Sequence, residues 1–326
     1  MKISDPIYGE FEVKEPVLLE LLKSKPLQRL KKIDQYGIPP KFYLFPGFTR
    51  LEHLVGVMLL LKKMGADVEE QVAGLLHDVS HTAFSHVVDW VIGDALRENY
   101  QDKNHKKIIY QSEIPGILSR FGFDVKKITT IVAFPLLERE SPDLCADRID
   151  YALREFYLWA NSKIVDLCVK SLVIFQNKFV FDSKIAAGVF AKNFIKLQSE
   201  HWGGGDAVTR YYYLSQGLKI ALDKKIITLE DFYFDDEYVI NKILKSKNNI
   251  LDRILKILSK KTKFKNKKKG IILKKKFRFV DPEFLDNGKL KKLSEEDSVF
   301  SKLLEKHRKI NEKGIMVKSL TKISEI

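Results

Sequence analysis

Two helix-start signals eighteen residues apart constrain this chain more than anything else in it. Thr49 is followed three positions later by Glu52, and Asp67 by Glu70. Each pair has the form of an N-terminal cap, in which a short side chain takes an orphan backbone N–H and an acid answers from the third helical position. Gly65 lies between them and ends the first helix. Two helices joined by Gly65-Ala66-Asp67 run antiparallel. His53 is twelve residues before Gly65, ~18 Å away at 1.5 Å per residue, and His77 is ten residues after Asp67, ~15 Å back. The hairpin therefore brings His53 level with His77 and Asp78.

Imidazole nitrogens and a carboxylate meeting at one point suit a divalent transition metal. A fourth ligand must come from elsewhere, and the best source is DLCADRIDYALRE, Asp143 to Glu155. Asp147, Tyr151 and Glu155 share one helical stripe there. A single histidine in a core is more often a hydrogen-bonded packing residue. Here five of the seven histidines fall between 53 and 105, one of them adjacent to an aspartate. Asp150 and Arg154, four residues apart, read as a surface ion pair, and Asp143 as a helix cap.

The remaining pattern is mainly α. Leu18 to Leu22 is a short helical turn, and Pro26 opens a segment with Leu27, Leu30 and Ile33 at helical spacing, closed by Gly37. Ser141-Pro142-Asp143 is expected to start a helix running through Tyr157. IFQNKFVFD, Ile174 to Asp182, reads as a hairpin turning at Asn177-Lys178. Later helices are interrupted at Gly203-Gly204-Gly205, and Ile271 to Val280 is a candidate strand. A division near 180 follows, with one domain over 1–180 and a mainly helical C-terminal region with a small β element over 181–326.

No apolar run approaches the ~20 residues of a membrane span. The N-terminus lacks a secretion signal, and two cysteines, Cys145 and Cys168, do not make an extracellular disulfide framework. A cytoplasmic location without membrane attachment is expected. The net charge is +14, but eleven of the lysines lie in Lys256 to Lys276, which has no acid, so the rest carries only three charges in excess. That segment could track a nucleic-acid backbone, with Phe264 and Phe277 stacking on bases. The plainer reading, and the weightier, is a solvated surface loop.

The order His…His-Asp…Asp resembles the HD-domain metal-dependent phosphohydrolases. DPIYGEFEV, QRLKKIDQYG, YLFPGFTRLEHLVGV, LLHDVSHTAFSH and ADRIDYALRE resemble, in the same order, the blocks of the branch that includes the deoxynucleoside triphosphate triphosphohydrolases. The likeness spans roughly residues 4 to 200. It implies an all-α HD-domain core and His53, His77, Asp78 and Asp147 as ligands of one divalent metal, such as Mn, Fe, Zn, Ni, Co or Mg. It further implies His86 and His105 as catalytic histidines, with Asp89 orienting His105. Arg50, His81, Arg148 and Tyr151 match positions that contact phosphate or nucleotide, and Gln35 a position that contacts deoxyribose. A homo-oligomer is the expected assembly.

The departures bear on substrate. Ser80, Thr82 and Ala83 replace a Gly-rich turn after His77-Asp78. Trp202-Gly203-Gly204-Gly205 stands where the family has Tyr-x-His-Lys, so two cationic contacts become glycines, and His201 beside them reads as exposed. The expected activity is hydrolysis of deoxynucleoside triphosphates to deoxynucleoside and triphosphate. The alternatives are a phosphomonoesterase or phosphodiesterase on another nucleotide, and a nucleic-acid-binding or regulatory protein with a structural metal.

Overall fold

In the computed structural model, which describes residues 1–264 and 269–318, the helical hairpin forms as the caps dictate. The first helix is Arg50–Lys63, and Thr49 and Glu52 exchange both bonds of a capping box. Gly65 takes φ +78°, the left-handed turn that only glycine adopts without cost. Asp67 then caps the second helix, Val68–Leu76, through Glu70 N at 2.8 Å. The Glu70 carboxylate does not return to the cap. It accepts instead from Leu136 N and Leu137 N, and so ties down the chain leading to the third helix.

That third helix is Ala146–Trp159, and it packs across the hairpin's first member. It begins at Ala146 rather than at Ser141-Pro142-Asp143. Those three residues are engaged elsewhere: Ser141 Oγ donates to Phe279 O, and Pro142 O accepts from Asp281 N. Asp143 faces Arg139 at 3.8 Å and caps nothing. The expected surface pair Asp150–Arg154 is buried. Arg154 bridges Asp150 at 2.9 Å and Asp5 at 2.7 Å, with Asp150 fully enclosed. The stripe of the third helix faces the hairpin, so an i, i+4 pair on it lies inside the protein.

The β content is small. Leu172–Phe175 and Lys178–Phe181 form a hairpin that turns at Gln176-Asn177, both with positive φ, one residue earlier than the sequence implied. Phe181 then pairs in parallel with Phe284, and Glu283–Asp286 pairs with Lys289–Lys292 to complete a four-stranded sheet. The candidate strand at 271–280 is a strand only over Ile271–Leu273, paired with Ile315–Val317. Beyond Leu273 the chain runs extended with its backbone bonded to side chains, not to a ladder. Helices Lys184–Leu197 and Gly205–Asp223 flank a short π-helical turn, Gln198–Trp202, and the break falls at Gly203-Gly204, whereas Gly205, expected in the break, opens the next helix. One apolar cluster runs from Leu54 and Leu60 through Phe84 and Phe156 to Phe190, Leu218 and Phe300. Among the described residues, no helix is long and apolar enough to cross a membrane.

Gly56 lies where the first and third helices cross. A Cβ there would run into Arg154 Nη2 and Asp150 Oδ1. The Gly56→Ala protein should lose about 1–3 kcal/mol of stability, the usual cost of overpacking a core. Chemical denaturation would detect this, and an unchanged midpoint would show that the buried pair yields freely.

Candidate metal centre and active-site cavity

The helical hairpin places the His53 and His77 rings 5.2 Å apart, centroid to centroid. Each ring has one nitrogen committed. His53 Nδ1 is 2.8 Å from Asp150 Oδ2, and His77 Nδ1 donates to Gly74 O at 2.8 Å. Those bonds leave both Nε2 atoms pointing inward. His53 Nε2 is 3.0 Å and His77 Nε2 3.4 Å from the same Asp147 oxygen. Asp78 stands beside them, with oxygens 3.9 Å from His53 Nε2 and 3.8 Å from His77 Nε2. His77 Nε2 is buried and has no hydrogen-bond partner. Two imidazole lone pairs and two carboxylates thus face one point, an arrangement of acceptors that calls for a cation between them.

The electrostatics agree. Burial alone would lower His77, yet the charges of Asp78 and Asp147 push it up to about 9. Burial would raise Asp147, yet the His53 and His77 rings beside it hold its carboxyl well below the usual range. The residues therefore fit a divalent cation bound by His53, His77 and Asp147, with Asp78 adjacent. Asp150, which the sequence pattern assigns to the surface, is the carboxylate that fixes the His53 tautomer, as outer carboxylates do for metal-bound histidines. Its spacing of three from Asp147 was the available signal.

The cluster opens into a cavity of about 1410 Å³. Arg50 reaches it over Asp78, with which it is paired, and bonds Ser85 Oγ at 3.0 Å and Gln35 O at 3.2 Å. Gln35 Oε1 is buried without a partner. His81 Nε2 lies 3.4 Å from Asp78, and burial with Arg50 nearby lowers it to about 3, so it is neutral. Arg148 lines the wall, held by Asp143 O at 2.5 Å and Arg139 O at 3.2 Å. Tyr151 lies one turn beyond Asp147, its ring 6.3 Å from that of His53.

The two histidines expected to be catalytic differ from expectation in one respect. Asp89 Oδ2 is 3.1 Å from His86 Nδ1, and its other oxygen takes Tyr100 N. Asp89 therefore orients His86, not His105. The turn Ser85–Trp90 puts His86 and Asp89 three residues apart on one face, which decides the partner. His105 is buried and donates Nε2–H to Leu76 O at 2.9 Å. His201, expected to be exposed, is buried against Trp159 and Phe45.

The cavity lining also includes residues that sequence reasoning did not select. Lys275, Lys276 and Arg278, from the end of the Lys-rich run and just past it, line the cavity with Glu155, Trp202 and Tyr211. The run is thus not a solvated loop throughout, and its part over 265–268 lies outside the described residues. Phe264 packs on Tyr213 beneath Arg210, and Phe277 stacks on Phe279.

Asp147→Ala and His77→Ala should each abolish metal retention, measured by elemental analysis of purified protein. Asp150→Asn should weaken metal binding about 10–100-fold, the usual cost of losing an outer carboxylate. Metal bound at full stoichiometry by Asp147→Ala would overturn the assignment of these ligands.

An HD domain family model matches residues 50–151, the stretch that holds all of these candidate ligands. The uncharacterized protein YdhJ of Bacillus subtilis is 37% identical over 98% of this chain and 99% of its own length. A metal-dependent phosphohydrolase, cns2, of Cordyceps militaris is 44% identical over 47% of this chain and 44% of its own length. The deoxynucleoside triphosphate triphosphohydrolase SAMHD1 of Homo sapiens is 36% identical over 27% of this chain and 16% of its own. Among solved structures, a hypothetical protein from Aquifex aeolicus has the same fold, with a TM-score of 0.71 at 21% identity over 95% of this chain and 99% of that one. The chain belongs to the HD-domain superfamily of metal-dependent phosphohydrolases, with its likeness directed toward the deoxynucleoside triphosphate triphosphohydrolase branch.

Proposed function

We propose that this phosphohydrolase splits deoxynucleoside triphosphates into deoxynucleoside and triphosphate. The observation that carries the reading is one cavity in which a His/His/Asp cluster, the His86–Asp89 pair and several cationic side chains meet. Its volume exceeds the few hundred cubic ångströms that a small ligand needs, and suits a polyanionic nucleotide. SAMHD1, matched over the same core, bears that activity in its name.

His53, His77, Asp78 and Asp147 would hold the metal, which supplies polarisation of a phosphoryl oxygen and an activated water. The protein's own residues do the rest. Arg50, fixed by Asp78, Ser85 and Gln35, presents a preorganised guanidinium at the cavity floor, suited to a phosphate oxygen. Arg148 offers a second cation from the third helix. His86, with Nδ1 engaged by Asp89, turns Nε2 toward the cavity and donates the proton that a departing sugar oxygen needs. Its ring meets His81 edge-on at 5.0 Å, which fixes its plane. His105, with Nε2–H bonded to Leu76 O, holds the start of the His77-Asp78 turn and so acts as a positioning residue. Gln35 and Tyr151 flank the place of the sugar.

One observation favours a second reading, a phosphomonoesterase or phosphodiesterase on another nucleotide. Gly203 and Gly204 serve the helix break: a Cβ would meet Gln198 at the first and Glu200 O at the second. They offer no cation where the family has its His-Lys pair. Hydrolysis of a panel of deoxynucleoside mono-, di- and triphosphates and a short oligonucleotide, with Mn²⁺ present, separates the readings by product. Release of intact triphosphate supports the first; cleavage confined to monophosphates or oligonucleotides replaces it with the second.

His86→Ala should lower kcat about 10²–10⁴-fold, the range for lost proton transfer, while the protein keeps its metal. Asp89→Asn should act in the same direction through His86. A His86→Ala enzyme with parental turnover would remove His86 from the mechanism.

A further inference from the structure

Of the described lysines in the basic run, Lys275 alone is buried, at 6% exposure. It sits in the extended segment Lys274–Phe279 and lines the cavity. Its Nζ lies 3.5 Å from the centre of the Tyr211 ring and 5.9 Å from that of Tyr36. Those faces attract an ammonium but satisfy none of its three N–H donors. Among the described residues, no carboxylate comes within ion-pair distance of it. Glu98, whose charge reaches Lys275 electrostatically, is itself paired with Arg278. Burial pushes the Glu155 carboxyl up to about 8, so that group is largely neutral and offers no counter-charge. Burial lowers Lys275 only to about 8, which leaves most of it charged at neutral pH. An enclosed, unpaired cation is costly, and its counter-ion must come from a ligand.

The segment is held in place rather than laid against the surface. Gln198, in the π-helical turn, accepts from Arg278 N at 3.2 Å and donates to Lys276 O at 3.4 Å. Asn311 donates to Lys275 O at 3.0 Å, and Arg308 covers the Phe279 ring at 4.5 Å. Single-turn π features are frequent at functional sites. Two side chains, from the π-helical turn and from the helix Ser298–Lys313, therefore fix the backbone at Lys275 and just after it. Glu155, within electrostatic reach of Lys275, lies eight residues beyond Asp147 on one helix, roughly 12 Å at 1.5 Å per residue. That separation is on the scale of a nucleotide.

We propose that Lys275 anchors a second anion subsite in this cavity, apart from the metal cluster, and receives a phosphate oxygen of the nucleotide substrate. The proposal rests on the nucleotide phosphohydrolase reading above. It supplies a cation from a different part of the chain where Gly203 and Gly204 provide none. The phosphate has two possible sources: the outer phosphates of a 5′-triphosphate, or a phosphate on the 3′ side of the sugar. Gln198 and Asn311 are positioning residues for it.

The test is calorimetric titration of the metal-loaded full-length protein, and of its Lys275→Met and Lys275→Arg variants. The probes are inorganic tripolyphosphate and deoxyadenosine 3′,5′-bisphosphate. Lys275→Met should bind one of them about ten- to a hundredfold more weakly, and Lys275→Arg should retain most of the affinity. Selective loss of tripolyphosphate assigns the outer phosphates; selective loss of the bisphosphate assigns the 3′ side. Without probe, Lys275→Met should melt at or above the parental temperature, because an unpaired charge has left the interior. Parental affinity for both probes in Lys275→Met, or a melting temperature well below the parent, overturns the subsite. Binding that depends on Lys275 in a protein that hydrolyses no nucleotide keeps the subsite and removes the proposed activity. Hydrolysis with binding indifferent to Lys275 does the reverse.

Discussion

Everything in this structure turns on a cluster of acceptors that cannot stand alone. His53, His77, Asp78 and Asp147 direct lone pairs and negative charge at one point in the protein interior. Such a cluster is stable only when a cation or protons occupy it, and only when its members are prevented from turning away. The chain Asp5–Arg154–Asp150–His53 provides that restraint. It runs from the N-terminal strand, through the third helix, to His53, the first of the candidate ligands. Each link is buried, so loosening one leaves an uncompensated charge next to the metal cluster. Gly56 makes room for this chain, which is why a residue with no side chain belongs at a helix crossing beside the site.

The cavity grows outward from that point in two directions. At the start of the first helix and in the turns after the second lie Arg50, His81 and His86. These are local products of the hairpin and of the Ser85–Trp90 turn. Along the third helix lie Tyr151 and Glu155, on successive turns beyond Asp147. The far wall comes from a different source, the segment Lys274–Phe279, fixed by Gln198 and by the helix Ser298–Lys313. The cluster that suits a metal thus comes from the hairpin and the third helix, and cations come both from there and from this later segment.

The substitution of glycines for cationic side chains at Gly203 and Gly204 gains a structural reason. The π-helical turn must end before Gly205 begins a new helix, and neither position has space for a Cβ. The same turn frees Gln198 to bond the extended segment that carries Lys275.

The helical hairpin, its caps and the meeting of His53 with His77 and Asp78 were legible in the sequence, because they depend on backbone hydrogen bonding and on a fixed rise per residue over short spans. Asp147 was legible from its helical stripe together with a family likeness. The helix start at Ala146, the burial of Asp150 and Arg154, and the pairing of Asp89 with His86 were not. Each depends on which neighbour a polar side chain meets after the chain has folded: Ser141 and Pro142 bond Phe279 and Asp281 from the far end of the chain, and Arg154 finds Asp5. Lys275 shows the difference most sharply. In sequence it is one lysine among eleven in a charged run, with nothing local to separate it from the others. Only tertiary packing, with Tyr211 beneath it and Gln198 and Asn311 holding its backbone, turns that one inward, because burial is a property of the assembled chain and not of the residue.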